Sequence, residues 1–486
     1  MLFNSFIFIF LFLPIVFSGY FLLNYFKKHQ LSLYWLALGS LFFYGYFKPI
    51  YLILISISIG FNYLIGSQMN GTERRGIKKT LLTIGILFNV SLLGYYKYAD
   101  FFISNTNTAL GTNFNLLHLI LPLGLSFITF QKIAYLVDTF RGETKNYKFS
   151  TFVLFATFFP QLIAGPIVHH KEIIPQFEEE KNKRISFDNV SKGIYIFLIG
   201  LTKKVVIADT VAIWANDGFQ NYKSLTFIES WITSFSYTIQ LYFDFSGYCD
   251  MAIGLALLFN IKLPTNFYSP YKSRNIQEFW KKWHMTLGRF LTQYIYIPFG
   301  GNRKGAARTY FNLFIVFFIS GFWHGAGWTF ILWGTLHGLA SIIVRLWGKT
   351  KIQLPYWFSW FITFQFVNVA WIYFRASTIG QANTIIFKMF NPNWEEFKGI
   401  FSHPIRHFSQ SVSYKIGTLT LNNPKLIILS LIILFIIAFL TNNSIQRLEK
   451  FKYKWFNIFM CQVMLLLVLV SIFYMQKNSI FLYFNF

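Results

Sequence analysis

Two histidines stand in segments that would rather hold apolar side chains. His284 lies in EFWKKWHMTLGRF and His324 in FFISGFWHGAGWTFILWGTLHG. The second stretch is apolar enough to cross a bilayer and contains no Asp, Glu, Lys or Arg. An ionisable side chain at membrane depth is costly and marks a functional site by default. Apolar surroundings favour imidazole over imidazolium, and a neutral imidazole can take the proton of a hydroxyl as that hydroxyl attacks an acyl group. Gly325, Ala326 and Gly327 follow His324, small residues that let a helix or a substrate approach the backbone. The competing reading is a packing histidine bonded to a backbone carbonyl. His284 is flanked by Trp280, Lys281, Lys282, Trp283 and Arg289. It either orients the substrate or the other histidine, or belongs to an interfacial helix anchored by Trp and Lys at head-group level.

Other polar groups are secondary candidates. On one straight helix over 324–337, His324 and His337 stand about 20 Å apart, so His337 is expected to be structural or an exit-side polar group. His29, His118, His169, His170, His403 and His407 lie at segment ends or in polar stretches and are expected to be solvated. Asp244 and Asp250 sit among apolar residues in QLYFDFSGYCDMAIG. Buried carboxylates need partners, and Lys272, Arg274 and the histidines are the candidates. Helix-to-helix pairing is preferred here over two-carboxylate glycosidase chemistry, since a sugar polymer has no evident route to such a pair. PFGGNRKG (298–305) lacks the Walker spacing. Arg303 and Lys304 either meet a phosphate of a donor or mark a cytoplasmic turn. The segment FLYFNF (481–486) places Tyr483 among aromatic neighbours. Such residues gather at membrane exits, although the tail could also dip back into the protein.

The elements that must position these residues are membrane helices. Of 486 residues, 55% are hydrophobic, 21% aromatic and only 13% charged, against about 25% charged in soluble domains. Apolar runs of about 20 residues recur along the chain, the length that spans hydrocarbon. Roughly 11–13 membrane segments are expected, as a single domain over 1–486 with a tail at 476–486. The net charge of +25 sits in short loops, which the positive-inside rule explains better than nucleic-acid binding. The excess also suits anionic membrane lipids or a phosphorylated donor. Residues 1–26 hold no Lys or Arg, and Lys27-Lys28 follow the first apolar run. This predicts a span with an outside N-terminus rather than a cleaved signal. Spans are expected near 31–47, 49–66 and 80–98, then an outer loop and returning segment over 99–131. Residues 169–192 read as a cytoplasmic amphipathic segment, with spans near 193–213 and 229–246. Broken or re-entrant helices are expected over 247–310, then spans near 309–322, 324–346 and 356–376. A polar insertion over 389–424 precedes two last spans near 426–441 and 456–475, with an outside C-terminus. Cys249 and Cys461 form no CxxC pair, so neither a disulfide framework nor a zinc site is suggested.

Five motifs, PQLIAGPIV (160–168), QLYFDFSGYCDMAIGLAL (240–257), EFWKKWHMTL (278–287), YIPFGGNRKG (296–305) and GFWHGAGWTFILWG (321–334), together resemble the membrane-bound O-acyltransferase family. The likeness is to its bacterial branch that acylates cell-envelope polymers, and it extends over most of the chain. It implies an all-α polytopic fold, a ring of helices with a funnel from each face meeting near His324. It also implies that His324 is the catalytic base, with His284 at the family's second polar position. Acetyl-CoA or a related cytoplasmic donor would be the substrate, with no bound cofactor or metal, and the acetyl group would leave on the outer face. FLYFNF resembles the branch's FxYFxF motif, which makes Tyr483 a candidate acyl relay. The expected partner is an extracytoplasmic SGNH-type acetyltransferase or esterase on a separate chain, and the expected location is the bacterial inner membrane. The first acceptor is peptidoglycan, at muramic acid O-6; alginate or another exopolysaccharide comes second. A transporter or a non-catalytic scaffold is the rival from another class.

Overall fold

A computed structural model describes residues 1–144, 146–392, 415–416, 419–420, 424–475 and 481–482. It is helical almost throughout; the described strands are the two-residue pair Lys415–Ile416 and Leu419–Thr420. Among the described residues, six helices are long and apolar enough to cross a membrane. They are Phe8–Tyr25, Ile50–Asn70, Arg75–Leu110, Phe227–Leu258, Gly305–His324 and Trp328–Trp347. Lys425–Leu440 and Trp455–Ser471 are apolar but shorter. Six is fewer than the 11–13 segments expected, so any further membrane segments are short or interrupted elements. Phe10, Ile57, Leu87 and Ile343 are exposed on outer faces of the long helices. Such faces suit hydrocarbon, which tolerates only backbone whose polar groups are satisfied internally.

The chain divides into two compact units. One comprises Met1–Phe197, Cys249–Thr265 and Thr292–Tyr294; the other comprises Leu198–Tyr248, Asn266–Leu291 and Ile295–Phe486. Helix Phe227–Leu258 contributes residues to both, and among the six long apolar helices it is the one whose most apolar 18-residue stretch is wholly buried.

The first unit holds the N-terminal helices and a polar cluster on Asp138. The Asp138 carboxylate accepts from Tyr294 Oη at 3.0 Å and meets His170 Nε2 at 3.1 Å. His170 Nδ1 lies 2.8 Å from the Tyr147 hydroxyl. His170 is thus buried rather than solvated, because helix His170–Glu178 turns its His170, Ile173, Ile174 and Phe177 face inward. His29 is also engaged, 2.9 Å from Asn24 Oδ1. His118 is exposed as expected, while His403 and His407 lie outside the described residues.

Three boundaries differ from the sequence reading. Helix Arg75–Leu110 runs on past 98 through a π-helical segment at Gly94–Tyr98, since no strong breaker occurs before Gly111. The helix from Phe227 continues to Leu258 instead of breaking after 246. Its Gly254 packs so tightly that an added Cβ would lie 2.6 Å from the Gly193 carbonyl oxygen. Irregular backbone begins at Asn260 (φ 62°), and only short helices interrupt it as far as Lys304. Finally, His324 closes helix Gly305–His324 rather than opening the next one. Gly325 and Gly327 are extended, and Trp328 begins the following helix.

Candidate active site

The three-residue break after His324 turns the chain back on itself, and the two flanking helices pack closely. A Cβ added to Gly321 would stand 3.0 Å from Gly334 Cα, and one added to Gly334 the same distance from Gly321 Cα. Only a residue without a Cβ permits that approach. His324 is thereby fixed at a helix end, buried, and ringed by aromatic side chains. Its ring centre lies 4.9 Å from Trp323, 5.2 Å from Trp333 and 5.2 Å from Phe374.

The same unit brings His284 to it, with ring centres 6.5 Å apart. His284 sits between helices Ile276–Lys282 and Met285–Leu291 with a positive φ of 45°. A non-glycine residue there is uncommon, although His is among the types enriched. Strain of this kind persists where the surroundings over-determine it. Here Tyr268 N–H donates to Lys282 O, and Met285 N–H to Asn266 O, both at 3.0 Å. The Phe245 ring stands edge-on to His284 at 4.8 Å.

Asn266 decides the state of His284. Its Oδ1 accepts from the Thr286 backbone N–H at 3.2 Å, which can only donate, so the amide oxygen faces this way. The same oxygen accepts from Thr286 Oγ1 at 2.9 Å and from His284 Nδ1 at 3.1 Å. An amide oxygen cannot donate, so His284 carries its proton on Nδ1 and presents a lone pair at Nε2. Outside the six long apolar helices, His284 is fully buried, and that burial pushes its pKa down to about 3. The ring stays neutral at ordinary pH.

His337 corrects the straight-helix estimate. Because the helix breaks at 325–327, one Trp333 ring touches both histidines, 5.2 Å from His324 and 4.8 Å from His337. His337 Nδ1 accepts from Trp280 Nε1 at 3.2 Å, and the Phe366 ring packs edge-on at 5.2 Å. Behind His324, Trp371 stacks on Trp333 at 5.6 Å. His337 thus holds Trp280 and Trp333 in place beneath the His284–His324 pair.

The carboxylates part ways. Asp244 pairs with Lys204 at 2.6 Å, not with Lys272, Arg274 or a histidine. Lys204 also meets Asp209 at 2.8 Å. Lys272 donates instead to the Thr441 carbonyl at 2.7 Å. Asp250, also buried, lies six residues along the same helix, which at about 100° per residue faces another way. Two carboxylates so disposed make no glycosidase pair. Arg303 and Lys304 are exposed in a glycine loop whose carbonyls are held by Asn312 Nδ2, 2.8 Å from Gly301 O. They stand at the opposite end of helix Gly305–His324, about 30 Å from His324. Tyr483 lies outside the described residues. Among those described, no group of three or more His, Cys, Asp or Glu is placed to hold a metal.

Sequence reasoning missed Asn266 and Lys204. Asn266 gives no signal beyond an Asn before an aromatic run, while Lys204 in the apolar LTKKVVIA carried one that the positive-inside rule absorbed.

The family model of membrane-bound O-acyltransferases matches residues 140–380, which includes both histidines. The chain is 44% identical to the peptidoglycan O-acetyltransferase of Helicobacter pylori, over 100% of this chain and 98% of that protein. It is 36% identical to a probable alginate O-acetylase of Pseudomonas aeruginosa, over 87% of this chain and 80% of the other. A teichoic acid D-alanyltransferase of Bacillus subtilis is 26% identical over 49% of this chain and 63% of its own length.

Proposed function

The chain belongs to the membrane-bound O-acyltransferase family, and from that membership we propose that it moves acetyl groups from a cytoplasmic donor, acetyl-CoA or a relative of it, to the outer face for esterification of peptidoglycan. It is an O-acyltransferase and a multi-pass helical membrane protein. The observation that carries the proposal is the pair of buried imidazoles, His284 and His324, with ring centres 6.5 Å apart in an aromatic enclosure. Two rings this close can face one reacting centre placed between them.

In this reading His324 is the general base. It takes the proton of the acceptor hydroxyl as the oxygen attacks the acetyl carbon of the thioester. The carbon–sulfur bond then breaks, and the proton passes to the departing thiolate. His284, whose Nε2 accepts, orients a donor group of the incoming substrate. Aromatic walls exclude water that would hydrolyse the thioester. The first acceptor is the Tyr483 phenol, which becomes an acetyl ester and hands the group to a separate extracytoplasmic SGNH-type transferase. Arg303 and Lys304, far from His324, suit only the distal phosphates of the donor. Location in the inner membrane with both termini outside belongs to the same proposal. The likeness to the Helicobacter pylori enzyme favours peptidoglycan, and the likeness to alginate O-acetylases makes an exopolysaccharide the second reading.

The test is ester-linked acetate released by mild base from isolated peptidoglycan and from exopolysaccharide. Cells would carry the parent protein or His324→Ala at matched membrane levels. Loss from peptidoglycan alone supports the proposal, and loss from exopolysaccharide alone moves the acceptor to the second reading. Unchanged acetate in both polymers overturns acetyl transfer and leaves a scaffold or transporter.

A further inference from the structure

Phe481 and Leu482 are buried, 1% and 7% exposed. What they touch is a charged group deep in the second unit. The Leu482 backbone N–H donates to Asp244 Oδ2 at 3.0 Å. The other carboxylate oxygen, Oδ1, takes the Lys204 ammonium at 2.6 Å. That ammonium stands 4.5 Å from the centroid of the Phe481 ring, within the range of a cation–π contact. Tyr248, one helical turn beyond Asp244, meets the same ring at 4.6 Å and 88°. A buried ion pair gives a poor return in stability compared with apolar packing of the same volume. Both of its charges also meet residues near the far end of the chain, the ammonium while it keeps Asp209 as well.

We infer that Lys204 and Asp244, with Tyr248, form a socket that captures the C-terminal tail and fixes its register. The recognition is specific in two ways. The carboxylate reads a main-chain N–H, which sets where the chain lies whatever the side chain. The ammonium and the Tyr248 edge read an aromatic ring at position 481. Phe481 and Leu482 immediately precede Tyr483 in the sequence. On the proposed function, on which this last step rests, Asp244 and Lys204 are positioning residues for the acyl relay. A structural ion pair that merely braces two helices predicts instead that the tail is indifferent to its loss.

The test reads the tail directly, not activity. Leu482→Cys is introduced into the full chain with Cys249 and Cys461 replaced by alanine, in native membranes, and alkylation by N-ethylmaleimide is timed. Asp244→Leu removes the acceptor while Lys204 keeps Asp209. Labelling is expected to accelerate by at least roughly tenfold, as fits the loss of a charge-assisted hydrogen bond. Asp244→Asn keeps an acceptor oxygen and is expected to recover most of the protection. An unchanged rate in Asp244→Leu overturns the socket. Should that variant not reach the membrane, the Leu482→Cys reporter in a full chain carrying Tyr248→Leu, which leaves the Lys204–Asp244 pair in place, asks the same question. Faster labelling there supports the socket, and an unchanged rate overturns it. Acetate transfer by Tyr483→Phe is measured separately. If transfer persists while tail protection depends on Asp244, the socket stands and the relay falls; the reverse pattern removes the socket and keeps the relay.

Discussion

His284 and His324 come from different helical elements and meet with ring centres 6.5 Å apart, one ending a transmembrane-length helix and the other occupying a positive-φ joint between two short ones. Each is placed by backbone geometry rather than by a side-chain partner alone, so their separation is a property of the fold.

Removing the proposed base is expected to have the largest effect. His324→Ala is expected to lower the turnover number of acetyl transfer by roughly 10²–10⁴-fold, the range for loss of a general acid–base group. The KM for the donor should change little. The measurement is acetyl transfer from labelled acetyl-CoA in membrane vesicles. A fall in KM-related affinity with turnover intact would assign His324 to binding.

Asn266 sets the tautomer of His284, and Thr286 sets the orientation of Asn266. Asn266→Leu keeps the volume and removes the acceptor. The ring is then free to carry its proton on either nitrogen, and transfer should fall by at least roughly tenfold, well within the losses that a wrong tautomer produces in enzymes. Thr286→Val should reproduce part of the loss. Retention of full transfer by Asn266→Leu would sever the link between the tautomer and the reaction.

The depressed pKa of His284 has a signed consequence for stability. Between about 3 in the folded protein and about 6.5 in the unfolded chain, only the unfolded chain binds the proton. The group's contribution is thus complete above pH 6.5 and declines as the pH falls toward 3. Thermal unfolding of the detergent-solubilised protein at pH 7.5 and pH 5 should show a smaller acid-induced drop for His284→Gln than for the parent. Equal drops would mean that His284 is protonated in the folded state.

The Gly321–Gly334 contact leaves no room for a methyl group. Gly334→Ala forces one of two helix backbones to move, and overpacking of this kind costs about 1–3 kcal/mol. A lower unfolding midpoint and reduced transfer are expected together, since the shift carries His324 with it. Gly338→Ala is the control, because an added Cβ there meets Phe314 Cα at 3.3 Å and needs only a small adjustment. Equal behaviour of the two variants would show that the closest backbone approach is not critical.

The histidines were legible because polar rings in apolar runs violate a strong local rule. Gly325-Ala326-Gly327 was legible as a place of close approach, but not as a helix break, since glycines are also used to pack membrane helices. Missing that break gave His337 the wrong distance. Lys204 and Asp244 were hidden for a different reason: their pairing joins separate helices, and local sequence carries no record of which buried charge finds which. Asn266 was invisible because its role is a hydrogen bond to a residue whose own backbone conformation is unusual. His170 looked solvated because its polar neighbours masked the inward face that Ile173, Ile174 and Phe177 define.

Two helices whose backbones touch at Gly321 and Gly334 cannot slide or rock against each other, as no side chains lie between them to re-pack. The hairpin that bears His324 and His337 therefore behaves as one rigid lever, whose two arms keep their spacing whatever moves around them. Spectroscopic probes on helices Gly305–His324 and Trp328–Trp347 should report one constant separation throughout turnover.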